Sequence, residues 1–252
     1  MARRCGARHL ICPLIYQNIV AGKDEITTKG QVMADEPTPE DTKLTRTKRQ
    51  WAHEGRFLTG RVSRPETERL PPGQHLVKNW PVLDLGQQPQ VSVAQWRLEV
   101  RGLVDNPRTF NWKELLALPQ TDTRSDIHCV TTWSRYDNRW TGVSTRDFLE
   151  LVGPKVQAIA VMLTSYDGYT TNLLLSDFAA EDAMLVHRWQ GEPLSLEHGG
   201  PVRLVVPHLY FWKSAKWLNR IEFLSADRAG FWEQNGYHMR GDPWAEERYS
   251  DD

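Results

Sequence analysis

Short runs of alternating apolar and polar residues dominate the chain from Trp96 onward. Residues 96–102 (Trp-Arg-Leu-Glu-Val-Arg-Gly) place an apolar side chain at every second position, the period of a strand with one buried face. Residues 156–164 are almost continuously apolar, which predicts a strand buried on both faces in the centre of a sheet. Further strands are predicted at 125–130, 170–175, 183–189, 202–206 and 217–224.

Three short helices are predicted between these strands. Asn111 is followed three residues later by Glu114, the spacing of a capping box. Ser144 begins a second helix, which Gly153 ends, and Ser176 is expected to cap a third. Because strands outnumber helices and no regular strand–helix–strand alternation occurs, we expect an α+β fold with mixed, mainly antiparallel sheets.

The first 70 residues lack this periodicity and are polar and charge-rich. We expect residues 1–70 to form a mobile tail in front of one domain, residues 71–252. The tail contains Arg3-Arg4 ahead of a short apolar stretch, so a twin-arginine export signal has to be considered. That stretch is broken by Pro13 and lacks a small-residue cleavage site, and we therefore expect a cytoplasmic protein.

The overall charge excludes two classes of partner. The formal net charge is -1, which provides no general attraction toward nucleic acid or anionic membranes. A basic run at residues 43–49 is expected to be a solvated arm. No apolar run approaches the roughly 18 residues that a membrane-spanning helix needs. We therefore expect neither a nucleic-acid partner nor a transmembrane segment.

Cys129 is the first candidate for chemistry. It is the one cysteine of three that falls in the expected domain, so the chain has no disulfide framework or paired metal motif. A thiol at a strand end is often a small buried apolar side chain. A reactive thiolate needs a positive environment, which His128, Arg135 and Arg139 could supply. Two functional roles of Cys129 stay open: the nucleophile of a cysteine hydrolase, or a ligand of a metal that is already held by other sulfur atoms.

A Gly-Gly turn followed by cations is the second candidate. His198 precedes Gly199-Gly200, and Arg203 and Lys216 follow. The two glycines let backbone N–H groups turn toward an anion, and Arg203 can hold a phosphate through two parallel hydrogen bonds. Lys216 adds a point charge. The alternative is a plain Gly-Pro turn with Arg203 facing solvent.

Two smaller groups complete the candidates. Asn79 and Trp80 could fix a planar heterocycle by hydrogen bonding and stacking, although an ordinary ordered loop is equally compatible. Asp167 and Asp177 could form a catalytic carboxylate pair, but the first lies in a Tyr-Asp-Gly turn and the second at a helix start. Glycosidase chemistry is therefore discounted.

Taken in order, the motifs within residues 96–224 resemble the molybdopterin domain of sulfite oxidases and of the bacterial molybdenum methionine-sulfoxide reductase. They are Arg101-Gly102-Leu103-Val104, then His128-Cys129-Val130, then Gly200-Pro201-Val202-Arg203-Leu204-Val205-Val206-Pro207 and Lys216-Trp217-Leu218. The resemblance implies a sulfite-oxidase-type fold and a bound molybdopterin cofactor whose molybdenum is ligated by Cys129. It also implies an oxidoreductase that moves an oxygen atom between water and a sulfite-like oxyanion or an S-oxide.

The resemblance further implies which residues contact the cofactor. His198 and Arg203 would hold the pterin and its phosphate, and residues 214–216 would close over the same anion. The full implied set is Asn79, Trp80, Cys129, Thr164, His198, Arg203, Ser214, Ala215 and Lys216.

One departure from the family leaves the substrate open. Cys129 is followed by Val-Thr-Thr-Trp-Ser, closer to the Cys-Val-Glu-Ala-Trp-Ser of the sulfoxide reductase group than to the Cys-Ala-Gly-Asn-Arg-Arg of animal and plant sulfite oxidases. Thr131 replaces the glutamate of that group. A sulfite dianion would need positive charge from His128, Arg135 or Arg139. A non-catalytic protein that binds the cofactor or another anion is the alternative.

The same resemblance leads to expectations about partners. No haem-binding His-Pro-Gly-Gly motif occurs, so electrons are expected to pass through a separate haem or flavin protein. The chain ends soon after Leu224, where the family carries a dimerisation domain, and we therefore expect a monomer that acts on a small-molecule substrate.

Overall fold

The computed structural model of the protein describes residues 69–252. The strands are β1 (His75–Leu76), β2 (Arg97–Gly102), β3 (Arg108–Asn111), β4 (Thr121–His128), β5 (Trp133–Ser144), β6 (Ala160–Ser165), β7 (Thr170–Leu174), β8 (Met184–Trp189), β9 (Glu192–Pro193), β10 (Arg203–Val205) and β11 (Leu218–Leu224). The helices are α1 (Trp112–Leu116), α2 (Thr145–Val152), α3 (Leu175–Phe178) and α4 (Phe231–Gln234), with 3-10 turns at Leu196–His198 and Phe211–Lys213.

The predicted tail lies outside the described residues except for its last two positions. The same holds for the Arg3-Arg4 pair and for the basic run at residues 43–49. No helix in the described part of the chain is long and apolar enough to cross a membrane.

The described residues form two sheets. The first has the strand order β1-β5-β8-β10, with β4 also paired to β5 and β9 paired to β8. The second has the order β3-β2-β11-β6-β7. The pairs β1–β5 and β2–β11 are parallel, and the other named pairs are antiparallel. The predicted α+β class with mixed, mainly antiparallel sheets and short helices is therefore confirmed.

The predicted central strand is present but starts later than its apolar run. β6 lies between β11 and β7 in the second sheet, and its residues are mostly buried. Val156, at the start of the run, is 92% exposed, because residues 155–158 form a turn closed by a hydrogen bond from Ala158 N to Lys155 O. The apolar run thus covers a turn and a strand together.

Local capping explains two of the helices. Asn111 Oδ1 accepts from Glu114 N at 3.0 Å and Glu114 Oε2 accepts from Asn111 N at 2.8 Å, which confirms the predicted capping box of α1. Ser144 caps α2, and Gly153, with φ of +63°, ends it. The cap predicted at Ser176 is wrong. This residue lies inside α3, which begins at Leu175 without a side-chain cap.

β5 is the longest of the strands that the hydrophobic pattern did not predict, which also include β1, β3 and β9. Its middle is polar, with Asp137 in a left-handed conformation at φ of +59°. It pairs with β4 on one side and with β8 on the other, so its neighbours hold it in place. A Cβ on Gly142 would lie 2.0 Å from Leu185 O, so only glycine permits the close approach of β5 to β8 at this position.

Candidate functional site

An open cleft with about 860 Å³ of empty space, part of it continuous with the surrounding solvent, brings distant parts of the chain together. Its lining comes from six stretches: 80–85, 129–133, 165–169, 197–203, 211–217 and 232–237. A concave site that is lined by aromatic side chains and a few polar groups is typical of cofactor and ligand sites.

A thiol lies on the cleft directly after β4. Cys129 is 7% exposed, and its Sγ lies 3.1 Å from Thr131 Oγ1. The loop that follows is tight, because Cys129 N donates to Trp133 O at 2.8 Å and Thr132 N donates to Cys129 O at 3.0 Å. The end of β4 and the start of β5 therefore hold the thiol on the wall of the cleft.

A buried cation lies on the same cleft. Arg203 is 2% exposed, so the alternative in which it faces solvent is wrong. Its guanidinium donates to His198 O at 2.8 Å and to Ser214 O at 2.7 Å. Burial lowers the pKa of Arg203 to about 9. No carboxylate among the described residues forms an ion pair with this side chain, so the site has an unbalanced positive charge that an anionic ligand would neutralise.

The Gly-Gly turn places a second cation beside the first. Gly199 has φ of +101°, and a Cβ there would lie 2.8 Å from Lys216 Cβ. A Cβ on Gly200 would lie 2.3 Å from Leu194 O. Both positions therefore require glycine for the turn to pack against the backbone around it. Lys216 lines the cleft, donates to Glu197 O at 2.8 Å and lies 3.8 Å from an oxygen of Asp84.

A ring pair forms part of the wall close to these cations. Trp80 and His198 stack at 4.0 Å with an interplanar angle of 23°. The His198 Nε2–H group donates to Trp80 O at 3.3 Å, and its Nδ1 lies 2.9 Å from Ser195 Oγ. Burial lowers the pKa of His198, and the charge of Arg203 adds to this effect, while the bond to Trp80 opposes it. The imidazole is therefore neutral and serves as a planar surface and hydrogen-bonding group.

Aromatic side chains form much of the remaining wall. Tyr237 stacks on Trp232 at 5.0 Å and meets Trp212 edge-on at 5.0 Å. The hydroxyl of Tyr169 donates to Trp212 O at 2.7 Å. Burial raises the pKa of Tyr237 well above its ordinary value, with a smaller contribution from the nearby Cys129. This aromatic wall is thus close to the thiol.

Asp167 contributes a carboxyl group to the cleft. Its Oδ1 accepts from Tyr169 N at 3.0 Å, which is the local turn that the sequence predicted. Burial raises the pKa of Asp167 from 3.8 to about 6, although hydrogen bonds from the backbone and the charge of Lys216 oppose this rise. The turn explanation is therefore correct but incomplete, because the same side chain lines the cleft.

Six of the predicted site residues line the cleft together: Trp80, Cys129, His198, Arg203, Ser214 and Lys216. The other six lie outside this lining: Asn79, His128, Arg135, Arg139, Thr164 and Ala215. Their predicted roles stay predictions.

Five residues of the second group make the following contacts. His128 is buried with Nδ1 2.8 Å from Ser134 Oγ, and burial lowers its pKa to about 4. Arg135 donates to Lys78 O at 3.2 Å, and Arg139 donates to Gln190 Oε1 at 3.0 Å. Thr164 pairs with Thr170 and Arg220 in the second sheet, and Ala215 O accepts from Leu204 N.

Sequence reasoning missed Asp84 and the aromatic residues of the wall other than Trp80, and it discounted Asp167, which also lines the cleft. The high tryptophan content, 11 Trp in 252 residues, indicates that some of these side chains could line a ligand pocket. The pattern could not show which of them face a cleft.

Residues 85–232 match the family described as the oxidoreductase molybdopterin binding domain. The chain belongs to this family. It is therefore a molybdopterin-dependent oxidoreductase, as the ordered motifs predicted, and the alternatives of a cysteine hydrolase and a non-catalytic binding protein are set aside.

The relatives agree with this assignment. The chain is 48% identical over 186 residues to the "Uncharacterized oxidoreductase YuiH" of Bacillus subtilis (strain 168), which covers 73% of this chain and 94% of that protein. It is 27% identical to the "Protein-methionine-sulfoxide reductase catalytic subunit MsrP" of Campylobacter jejuni, with 57% of this chain and 56% of that protein covered. Sulfite oxidase and nitrate reductases are also related, at 24% to 28% identity.

A solved structure shares the fold. The sulfane dehydrogenase SoxCD from Paracoccus pantotrophus matches with a TM-score of 0.51 and 24% identity, over 55% of this chain and 40% of that one. This likeness confirms the sulfite-oxidase-type fold. Apart from YuiH, the chain spans about half or less of the length of these proteins.

Proposed function

We propose that Cys129 is the protein ligand of molybdenum in this enzyme and that the enzyme transfers an oxygen atom to or from a small substrate. The observation that carries the proposal is the placement of a thiol and an unbalanced buried cation on one cleft. Thiolate suits a soft metal, and the phosphate of the cofactor suits the guanidinium of Arg203.

The residues of the cleft fit a pterin phosphate. Arg203, Lys216 and the Ser214 hydroxyl offer positive charge and donors for the phosphate. The carboxyl groups of Asp84 and Asp167 offer acceptors for the N–H groups that a pterin presents. When bound, the cofactor supplies two-electron oxygen-atom transfer between Mo(VI) and Mo(IV), and the protein binds, orients and shields it.

An S-oxide suits the cleft better than a sulfite-like oxyanion. Among the described residues that line it, the charged basic side chains are Arg203 and Lys216, which serve the phosphate, while His198 is neutral. Near Cys129 the wall is aromatic, and the cationic Arg135 and Arg139 lie outside the lining. An oxyanion would bring negative charge to an apolar surface without a counterion, whereas an S-oxide is neutral.

A separate haem or flavin protein is proposed to exchange electrons with the enzyme. The relative from Campylobacter jejuni is named as a catalytic subunit, which supports a division of this kind.

The ligand assignment is tested with protein from a host that makes the cofactor. We expect molybdenum close to one atom per chain in the parent and a thiolate-to-metal absorption band that Cys129→Ser lacks. Arg203→Met should lose molybdenum and pterin together, because the buried cation holds the phosphate. A Cys129→Ser protein that keeps the band and the turnover of the parent would rule out ligation by this thiol.

The substrate class needs its own comparison. Dimethyl sulfoxide with reduced methyl viologen, and sulfite with ferricyanide, serve as the two probes for parent and Arg139→Met. We expect turnover of the sulfoxide by both proteins at similar rates and little oxidation of sulfite by either. Efficient sulfite oxidation by the parent that falls on loss of Arg139 would instead support the oxyanion.

A further inference from the structure

The loop that carries Cys129 has an unfavourable backbone conformation. Thr132 has φ of +75°, in the left-handed region that β-branched residues rarely adopt. Such a conformation persists only where the surrounding structure holds the backbone firmly, and it is frequent at functional sites. The contacts that hold this loop therefore also determine the position of the Cys129 thiol.

Three carbonyl groups of the loop accept hydrogen bonds from outside it. Gln74 Nε2 donates to Cys129 O at 3.1 Å, and Arg248 Nη1 donates to Val130 O at 2.9 Å. The third bond runs from the backbone of His75 to Thr132 O at 2.8 Å. The two side chains come from segments 174 positions apart in the chain. The first and last parts of the domain thus meet at the thiol loop.

Arg248 is held in place by further contacts. It is 3% exposed, its Nη2 donates to Pro72 O at 3.2 Å, and its guanidinium carbon lies 4.8 Å from the centre of the Tyr210 ring. No carboxylate among the described residues forms an ion pair with it. A planar guanidinium between two carbonyls and a ring fixes both carbonyls in one geometry, which a flexible ammonium does less well.

Gln74 is fixed in the same way. It is fully buried, and its Oε1 accepts from Ser134 Oγ at 3.2 Å. Ser134 in turn lies 2.8 Å from His128 Nδ1. The amide is thus locked with its N–H toward Cys129 O, and the residue before the thiol belongs to the same hydrogen-bond chain.

We propose that Gln74 and Arg248 are positioning residues that orient the Cys129 thiol toward the bound metal. This inference rests on the proposed function, since it assumes ligation by Cys129. Neither side chain lines the cleft, so both act through the backbone of residues 129–130. Without them the strained loop is free to relax and to turn Sγ away from its position on the cleft.

The test compares Gln74→Met, Arg248→Met and Arg248→Lys in the full chain, loaded with cofactor. We expect molybdenum content near that of the parent but a shifted or weakened thiolate-to-metal band in Gln74→Met and Arg248→Met. Turnover of dimethyl sulfoxide should fall roughly ten- to hundredfold in kcat with little change in KM, the usual range for groups that support a metal ligand. Arg248→Lys should recover part of both.

A second readout needs no cofactor. In cofactor-free protein, the amide of Thr132 should exchange with solvent at least tenfold faster in Arg248→Met than in the parent. Arg146→Met is the matched control, because Arg146 also donates to a backbone carbonyl, Ala179 O at 3.0 Å, but that carbonyl is not part of the loop that carries Cys129. It should leave the band and the exchange of Thr132 unchanged.

The outcomes separate the two hypotheses. If Cys129→Ser removes the band while Gln74→Met and Arg248→Met keep it and keep the parent exchange rate, the positioning role is overturned and ligation stands. If Cys129→Ser keeps the band, the proposed function itself fails. If Arg248→Met does not fold, Arg248→Lys and Gln74→Met decide by the same readouts.

Discussion

Replacing Asp167 by asparagine tests the electrostatics of the cleft. Burial raises the pKa of Asp167 from 3.8 to about 6, so the folded chain holds this proton more tightly than the unfolded chain. The contribution of Asp167 to the stability of the folded state therefore falls as pH rises from about 4 to about 6 and is constant above that range. The rise in pKa corresponds to roughly 3 kcal/mol that the ionised carboxyl costs the folded, cofactor-free protein at pH 8.

Asparagine removes this cost without changing the shape of the side chain. Its Oδ1 can still accept from Tyr169 N, which now bonds to Asp167 at 3.0 Å. We expect Asp167→Asn to be more stable than the parent by roughly 2–3 kcal/mol at pH 8, which is about 5–10 °C in Tm for a domain of this size. At pH 4 or below the two proteins should differ little.

The assay is urea unfolding of cofactor-free protein, followed by tryptophan fluorescence at several pH values between 4 and 8. Asp122→Asn is the control, since Asp122 is exposed and solvent screens its charge. A stability difference for Asp167→Asn that stays constant across the pH range would refute the reasoning. Although Asp167→Asn is expected to be more stable, it should retain less cofactor than the parent, because asparagine is a weaker acceptor for a pterin N–H group.

Two further predictions concern ion pairs outside the set of proposed cofactor contacts, one half-buried and one fully buried. Desolvation lowers the pKa of His208, but hydrogen bonds to Asp177 and Asp182 and the charges of these carboxylates outweigh it and raise the pKa to about 9. The charged ring therefore contributes its full stabilisation below pH 6.5, and this stabilisation is lost as pH rises through 9. His208→Gln should therefore cost roughly 1–3 kcal/mol at pH 6 and little at pH 10 in urea unfolding, and an equal loss at both values would contradict this. Lys213 and Glu233 form a fully buried ion pair at 2.7 Å, so Lys213→Met should cost roughly 3–5 kcal/mol in thermal unfolding. The double variant Lys213→Met/Glu233→Gln should recover most of that loss, and a double variant as unstable as the single one would argue against an unpaired charge as the cause.

Helices and strands whose signal lies in residues close together in the sequence could be predicted from the sequence alone. The capping box is formed by Asn111 and Glu114, which are three residues apart. The strand at residues 96–102 is visible as an alternation of apolar and polar residues, because one face of it is buried. β5 could not be predicted in this way, because the polar residues in its middle are held by pairing with β4 and β8. Ser176 shows the reverse case, where a good capping residue lies one position inside a helix.

In the candidate site, too, some residues could be identified from the sequence and others could not. Cys129 and Arg203 could be selected from the chain, since an isolated thiol and an arginine after a Gly-Gly turn carry distinct chemistry. His128 was selected by its adjacency to Cys129, yet it packs against Trp244 at 4.8 Å while Cys129 lines the cleft. Adjacent residues along an extended chain face opposite sides, so nearness in sequence does not make two side chains share a site.

The sequence by itself determined the chemistry of this protein, because thiol, guanidinium and glycine turn are properties of residue types and of short spacings. It also determined the fold class, through the short period of its apolar residues. Only the tertiary structure decided which charges remain unbalanced, which aromatic rings face the cleft and which residues support the thiol loop. Burial and contacts such as that of Arg248 with Val130, 118 positions apart, arise when distant segments pack together, and no local pattern records them.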